Sequence, residues 1–292
     1  MSGFWKDTVS KIDNNINYSC IVVLVAEVLS LVYSLPLAWM CYLIAGLLFW
    51  KVELNNIVKL LALFLFAPIV FMAFIDSPLT INFVLAMILQ GLMIYLLRKS
   101  ESWSFAIEIT SIILLVMNVV LGLLFPGITE PFVEYIASVN AIDPSEVNIP
   151  PGFLLLAVAT ESLLFVWLSS RLRLHANHVP KKVIDSVNYI RMGYGVLIAS
   201  LLTLAFVYAT GNDIKPYLYI MAFPYVTSGV SLLSWLTSNY KKKPQKNTNN
   251  GYMRLIFIFL YATLLPLVLG FFGLIDVGLN LRKKYQNYLD RR

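Results

Sequence analysis

The stretch ATLLPLVLGFFGLIDVGLNLRKK (262–284) combines the features that decide the fold of this chain. An apolar run as dense as a lipid-embedded helix holds Pro266, two glycines three residues apart and one acid, Asp276, before it ends in basic residues. A soluble domain carries about 25% charged residues, whereas this chain of 292 residues carries 13% and is 59% hydrophobic. The stretch and the composition therefore both predict an integral membrane protein.

Apolar runs of similar length recur along the chain, and a bilayer core of about 30 Å needs about 20 helical residues to cross it. The first run, 18–50, exceeds that length and contains Pro36, which a helix interior does not accommodate, so we divide it there. The sequence thus predicts an all-α, polytopic transmembrane helix bundle of about nine hydrophobic segments, forming a single membrane domain over 1–292. The segments are 18–33, 36–50, 56–75, 79–97, 104–125, 152–171, 190–210, 215–238 and 253–281.

The charges between the segments predict the orientation of the chain. The loop 126–150 carries acidic residues and no Lys or Arg, whereas the connections 172–189 and 239–252 are basic. Cytoplasmic loops of membrane proteins carry an excess of Lys and Arg. We therefore expect 126–150 outside, both basic connections in the cytoplasm, and a short cytoplasmic N-terminus, 1–17.

The last run, 253–281, leaves two alternatives open. It starts at the cytoplasmic side, so a single crossing would place the basic tail 282–292 outside, against the charge rule. A bend at Pro266–Gly270 would instead return the tail to the cytoplasm.

The outer loop contains a further helical pattern in TEPFVEYIASV (129–139). Its apolar residues Phe132, Val133, Ile136 and Val139 recur near helical spacing, which is typical of an amphipathic helix. The pattern predicts a short helix that lies on the outer membrane surface.

Four polar residues inside the predicted segments are candidates for substrate binding. Glu27 and Glu161 lie near the middle of their segments, and Gln90 and Asn118 are neutral polar groups at depth. An ionisable group near the bilayer centre costs about 2.5–3.5 kcal/mol and is by default a functional-site hypothesis. Either the two acids line an intramembrane cavity that binds a solute or proton, or each is protonated or bonded to a neighbouring helix as a packing element.

The sequence contains no signal for catalysis, a cofactor or a metal. It has no G-x-S-x-G, P-loop or H-E-x-x-H pattern, and its polar groups are scattered. His175 and His178 are three residues apart, but structural zinc uses four ligands and no nearby Cys or acid completes a set. We expect neither enzymatic activity nor a nucleic-acid partner, because cytoplasmic basic loops account for the net charge of +6.

The C-terminal third resembles the YybS-like family of bacterial integral membrane proteins. One matching stretch is FPYVTSGVSLLSWL (223–236), which has Gly229 between small residues. The other is 261–284, in which G-L-x-D with a following Arg matches Gly273, Asp276 and Arg282.

Two further places complete the comparison with that family. SLPLAWMCYLIAG (34–46) is similar to its proline-containing link between the first two segments. Ser228 and Ser234 stand where the family often has Gln and His.

The resemblance implies a bacterial inner-membrane protein, distantly similar in fold to the S-components of energy-coupling vitamin transporters and to the rod-shape protein MreD. The first hypothesis is small-solute binding or transport, with a coupling subunit as membrane partner. The second is a structural or assembly protein of the cell envelope that acts through helix contacts, and the third is a membrane enzyme. We expect Asp276 to fix the end of the last helix, with Arg282 as its partner only if the chain bends between them.

Overall fold

A computed structural model shows a helical protein. It describes residues 3–33, 35–72, 78–124, 129–147, 149, 151–174, 179–180, 182–183, 187–211, 214–240 and 266–290. These residues contain no β-strand, which confirms the all-α prediction. His175, His178 and the lysine run 241–246 lie outside the described residues.

The chain forms two compact units. Unit 1 comprises Met1–Glu101 and Met117–Ile184, and unit 2 comprises Ser102–Val116 and Asp185–Arg292. The helices of unit 1 are α1 (Gly3–Asn14), α2 (Ile16–Tyr33), α3 (Leu35–Lys51), α4 (Ile57–Met72) and α5 (Pro78–Ser100), then α7 (Glu130–Asn140) and α8 (Pro151–Leu174). Those of unit 2 are α9 (Tyr194–Ala209), α10 (Lys215–Tyr240), α11 (Pro266–Leu279) and α12 (Leu281–Asp290), and α6 (Trp103–Leu124) contributes residues to both units.

The first two helices are separated at the predicted proline. α2 ends at Tyr33 and α3 begins at Leu35, so Pro36 lies in the first turn of α3. Proline is tolerated in a first turn because the N–H that it lacks has no partner there within the helix. The two helices pack against each other, and the division of the run 18–50 into two helices is confirmed.

Four helices among the described residues are long and apolar enough to cross a membrane. They are Thr80–Ser100, Trp103–Leu124, Pro151–Arg173 and Tyr217–Leu236. Shorter apolar helices occupy the other predicted segments: Ile16–Val28, Ala38–Lys51, Leu54–Val70, Tyr194–Ala209 and Val268–Leu279. Over the described residues, these helices are shorter than the length of about 20 residues that a perpendicular crossing needs. The helices indicate a membrane protein, and the number of nine crossing segments stays a prediction.

Large apolar side chains are exposed along whole helix faces. On α9 the exposed set is Ile198, Leu201, Leu202 and Phe206, and on α6 it is Val116, Val120, Leu123 and Leu124. Soluble monomers rarely expose contiguous apolar patches of such extent. We interpret these faces as surfaces that contact the acyl chains of the bilayer.

The predicted helix in the outer loop is present as α7. Its residues Ile136 and Val139 are 36% and 65% exposed, so α7 keeps an apolar surface open. After α7, the Asp143 carboxylate accepts hydrogen bonds from the hydroxyl and the N–H of Ser145, at 2.7 and 2.8 Å. These bonds lower the pKa of Asp143 and stabilise the turn that follows α7. The placement of α7 on the membrane surface stays a prediction.

Two glycines bring α10 and α11 into backbone contact in unit 2. A Cβ atom on Gly229 would lie 2.0 Å from the carbonyl oxygen of Leu269, and one on Gly273 would lie 1.9 Å from that of Tyr225. Only a residue without a side chain permits this approach, as in small-residue contacts between membrane helices. Both glycines named by the family resemblance are therefore packing residues.

The polar contacts of Arg282 show that α10 and α11 run in the same direction. Beyond the glycine contact, toward the C-terminus of each helix, the Arg282 guanidinium joins Ser231 and Asp276 at 3.4 and 3.0 Å. In an antiparallel pair, Ser231 and Asp276 would lie on opposite sides of the glycine contact. The C-terminal ends of α10 and α11 therefore lie at the same end of unit 2.

The parallel direction of α10 and α11 helps to distinguish a single crossing of the run 253–281 from a bend within it. The bend alternative puts the basic tail at the same end as the C-terminus of α10, and the parallel packing of α10 and α11 agrees with it. α11 begins at Pro266 and is continuous through Gly270, whereas residues 251–265 lie outside the described residues.

We expect Gly273→Ala to lower the thermal unfolding midpoint of the protein in detergent. The added methyl group must separate α10 from α11, and overpacking of this kind costs about 1–3 kcal/mol. Gly278→Ala on the same helix is the matched control, because a Cβ atom there meets nothing within 4 Å. Equal midpoints for the two variants would contradict the close approach of α10 and α11.

Candidate functional site

A connected set of polar side chains lies between α3, α5 and α8 in unit 1. Asn82 of α5 donates from Nδ2 to the Oε2 atom of Glu161 on α8, at 3.2 Å. The side chain of Asn82 also shares a hydrogen bond with the Tyr42 hydroxyl of α3. The Trp39 indole N–H, one turn before Tyr42, donates to the Glu161 carboxylate. We call Trp39, Tyr42, Asn82 and Glu161, together with Glu27, the acid cluster.

Glu27 joins this cluster from α2. Its side chain is fully buried, at 0% exposed. It lies within electrostatic range of Cys41 and Tyr42 on α3, and Tyr42 is also within range of Glu161. Both predicted acids thus lie within electrostatic range of Tyr42.

Aromatic rings fix the position of Tyr42. Its ring stacks on Phe83 with the ring centroids 5.1 Å apart, and its centroid lies 5.5 Å from that of Phe165. Tyr42 itself is 2% exposed. Because this surrounding is apolar and excludes water, electrostatic interactions with the Tyr42 hydroxyl are stronger than they would be in water.

Gln90 supports the cluster from α5. Its Nε2 atom donates to the main-chain carbonyl of Tyr42 at 2.7 Å. Gly46 makes room for it, since a Cβ atom at Gly46 would lie 2.5 Å from Gln90 Nε2 and 2.9 Å from Ser169 Oγ. Gln90 therefore positions α3, and with it the tyrosine, from outside the acid cluster.

Three of the four predicted polar residues, all except Asn118, thus lie around Tyr42. Gln90 bonds to its carbonyl, and Glu27 and Glu161 lie within electrostatic range of it. Asn118 is buried on α6, and its Nδ2 atom has no hydrogen-bond partner among the described residues. The neighbours of Glu161 in sequence are not its partners, because the hydroxyl groups of Thr160 and Ser162 donate to the carbonyls of Leu156 and Ala86.

Trp39, Tyr42 and Asn82 were missing from the sequence-based prediction. Trp and Tyr are common at membrane interfaces, so their type did not distinguish them. Asn82 lies near the start of its predicted segment, where a polar residue costs little. The spacing of Trp39 and Tyr42 puts both on one helix face, but nothing in the sequence shows which helix that face meets.

Asp276 and Arg282 form a buried ion pair in unit 2. The Nε atom of Arg282 donates to Asp276 Oδ2 at 3.0 Å, and the two residues are 8% and 0% exposed. Asn280, with a left-handed φ of 47°, turns the chain between them, and the N–H of Leu281 donates to Asp276 Oδ1 at 3.1 Å. Asp276 and Arg282 can pair only if the chain bends between them, and that bend is present at Asn280. Asp276 thereby fixes the end of α11.

Further hydrogen bonds of Arg282, together with those of Arg191, extend this ion pair into a network. Arg282 Nη2 donates to the carbonyls of Ile190 and Ser228 at 2.8 and 3.4 Å. Arg191 donates from Nε to the carbonyl of Asp276 at 3.1 Å and from Nη2 to the next carbonyl at 3.0 Å. The last carbonyls of a helix have no partner within it, so Arg191 caps α11. Burial lowers the pKa of Arg282, and the Asp276 carboxylate opposes that shift.

The chain matches no family model, no curated protein and no solved structure. In the part of the chain that the structure describes, no three His, Cys, Asp or Glu side chains are grouped so that they could hold a metal ion. Function is therefore inferred from the geometry of the acid cluster and of the Asp276–Arg282 network.

We expect Asp276→Leu and Arg282→Met each to lower the free energy of unfolding by about 3–5 kcal/mol, because each leaves a buried charge without its partner. The double variant should lose less than the sum of the single losses, since it contains neither charge. Thermal or denaturant unfolding in detergent measures the three losses.

The control for these three variants is Lys182→Gln, which removes an exposed ion pair with Glu101. The side chains of Lys182 and Glu101 are 75% and 42% exposed. We expect a change of about 1 kcal/mol or less there. If the double variant lost as much free energy of unfolding as the two single variants together, the coupling of the buried pair would be contradicted.

Proposed function

We propose that this chain is a bacterial inner-membrane protein that binds a small cationic solute, or a proton, at the acid cluster. The observation that carries the proposal is the setting of Glu161. Its carboxylate lies half-buried in a helix apolar enough to span a membrane, and its partners, Asn82 and Trp39, are both neutral. Acids inside membrane segments typically pair with a cation or mark an ion or solute pathway.

The two acids differ in their access to the surroundings. Glu161 is partly exposed, whereas Glu27 is fully enclosed. Tyr42 lies within electrostatic range of both acids, and Asn82 bonds to Tyr42 and Glu161. Both side chains offer groups that donate and accept hydrogen bonds. In this proposal Glu161 is the outer contact for the solute or proton, and Glu27 is a second acid enclosed in the interior.

The resemblance to the YybS-like family stays a prediction, as does its implied similarity to transporter S-components. A solute-binding role agrees with that similarity. If it holds, the partner of this chain is a transmembrane coupling subunit.

An envelope structural or assembly protein is the second candidate. Unit 2 favours it, because the polar residues of the Asp276–Arg282 network and the glycine contact all serve helix packing. Such a protein would act through its helix surfaces and would need no solute at the acid cluster.

We expect wild-type protein purified from its native membrane to retain a cationic solute, identified by mass spectrometry, or to be stabilised by one in a panel of amines and alkali cations. A ligand present at 100 times its Kd stabilises the folded state by about 2.7 kcal/mol. Glu161→Gln should abolish this stabilisation because it removes the negative charge. Thr160→Ala is the matched control, since that hydroxyl bonds only within α8.

Glu161→Leu separates solute binding from packing. A higher thermal midpoint with unchanged growth would show that Glu161 does not bind a solute. Recovery of envelope machinery without any solute would favour the assembly role instead.

We also propose that the N-terminus and the C-terminal tail both face the cytoplasm. The parallel packing of α10 and α11 supports this orientation for the tail, because the lysine run follows α10 and the basic tail follows α11. Positive charge of both segments then lies on one side of the membrane.

A cysteine added after Arg292 tests this orientation. We expect no reaction with a membrane-impermeant maleimide in intact cells, and reaction after the membrane is permeabilised. The chain without the added cysteine is the control, since Cys20 and Cys41 lie within α2 and α3 and Cys41 is fully buried. Labelling from outside would contradict the returning last segment.

A further inference from the structure

The surface of the chain changes from apolar to charged where α11 passes into α12. Large apolar side chains of α11 are exposed, and they are Val268, Phe271, Phe272, Leu274 and Leu279. α12, with the sequence LRKKYQNYLD, is polar and follows directly after the turn at Asn280. An apolar exposed surface that ends in charged residues is typical of the boundary between acyl chains and headgroups.

The buried ion pair fixes how α12 starts. The N–H of Leu281 and the guanidinium of Arg282 are both held by the Asp276 carboxylate, so the first turn of α12 is anchored to α11. Lys283 and Lys284 follow immediately, and both are exposed. Arg282 is turned inward and the two lysines are left at the surface, so the local positive charge is available to a partner.

We propose that Lys283 and Lys284 bind the phosphate headgroup of an anionic phospholipid. The site combines two ammonium groups with the neighbouring apolar surface of α11, which matches a ligand that has both a phosphate and acyl chains. Basic residues next to a membrane segment attract anionic lipids, and each strengthens binding by a factor of roughly five. This surface lies in unit 2 and does not depend on the solute proposed for the acid cluster in unit 1.

Titration of the full chain in neutral detergent with phosphatidylglycerol, and separately with phosphatidylcholine, tests this site. We expect phosphatidylglycerol to raise the thermal midpoint and to remain bound in native mass spectrometry, and phosphatidylcholine to do neither. Lys283→Gln/Lys284→Gln should weaken phosphatidylglycerol binding roughly thirtyfold, since each basic residue contributes a factor of roughly five. Lys283→Arg/Lys284→Arg should retain binding because it keeps both charges.

The matched control is Lys11→Gln/Lys59→Gln, which removes the same charge from exposed positions of unit 1. An equal loss of binding in this control would overturn the site, because it would show attraction to net charge alone. Stabilisation by inorganic phosphate as strong as that by phosphatidylglycerol would also overturn it, in favour of a free-anion site. All variants should unfold at the wild-type midpoint without lipid, since the substituted side chains are exposed.

Discussion

A charged group removed from water must meet a partner, and this constraint organises both units of the chain. In unit 1 the fully buried guanidinium of Arg173 on α8 donates from Nε and Nη2 to the carbonyl of Leu47 on α3, at 3.0 and 2.7 Å, and also pairs with Asp13 of α1. Val9 of α1 then packs against Leu47 and Leu172. One buried arginine thereby attaches an N-terminal polar helix to two apolar ones.

Unit 2 meets the same constraint with a different set of residues. The Asp276–Arg282 pair holds the end of α11 against α10, and Arg191 donates to two carbonyls in the last turn of α11. Glu108 faces the start of α9, since its Oε1 atom lies within 2.8 Å of the Cβ positions of Gly193 and Gly195. Negative charge is favoured at a helix N-terminus. These charged residues of unit 2 therefore serve helix packing and capping.

The acid cluster of unit 1 is different in this respect. Among the residues that the structure describes, the partners of Glu161 are neutral donors, whereas the buried charges of Arg173, Asp276 and Arg282 are met by opposite charge. A half-buried carboxyl group with neutral partners inside an apolar helix bundle is suited to a ligand that supplies positive charge. This contrast within one chain distinguishes the acid cluster, the proposed site of function, from the Asp276–Arg282 network, which serves packing.

The sequence by itself determined the helical class, the separation of α2 from α3 at Pro36 and the presence of α7, because proline chemistry and apolar periodicity act locally. It also identified the Asp276–Arg282 pair, on the condition of a bend, which the left-handed Asn280 supplies. Only the tertiary structure decided that Glu27 and Glu161 both lie within electrostatic range of Tyr42 and that α10 and α11 run in parallel. Those arrangements depend on which helix faces pack together. A helix that is apolar on all sides has no sequence pattern that shows which helix it packs against.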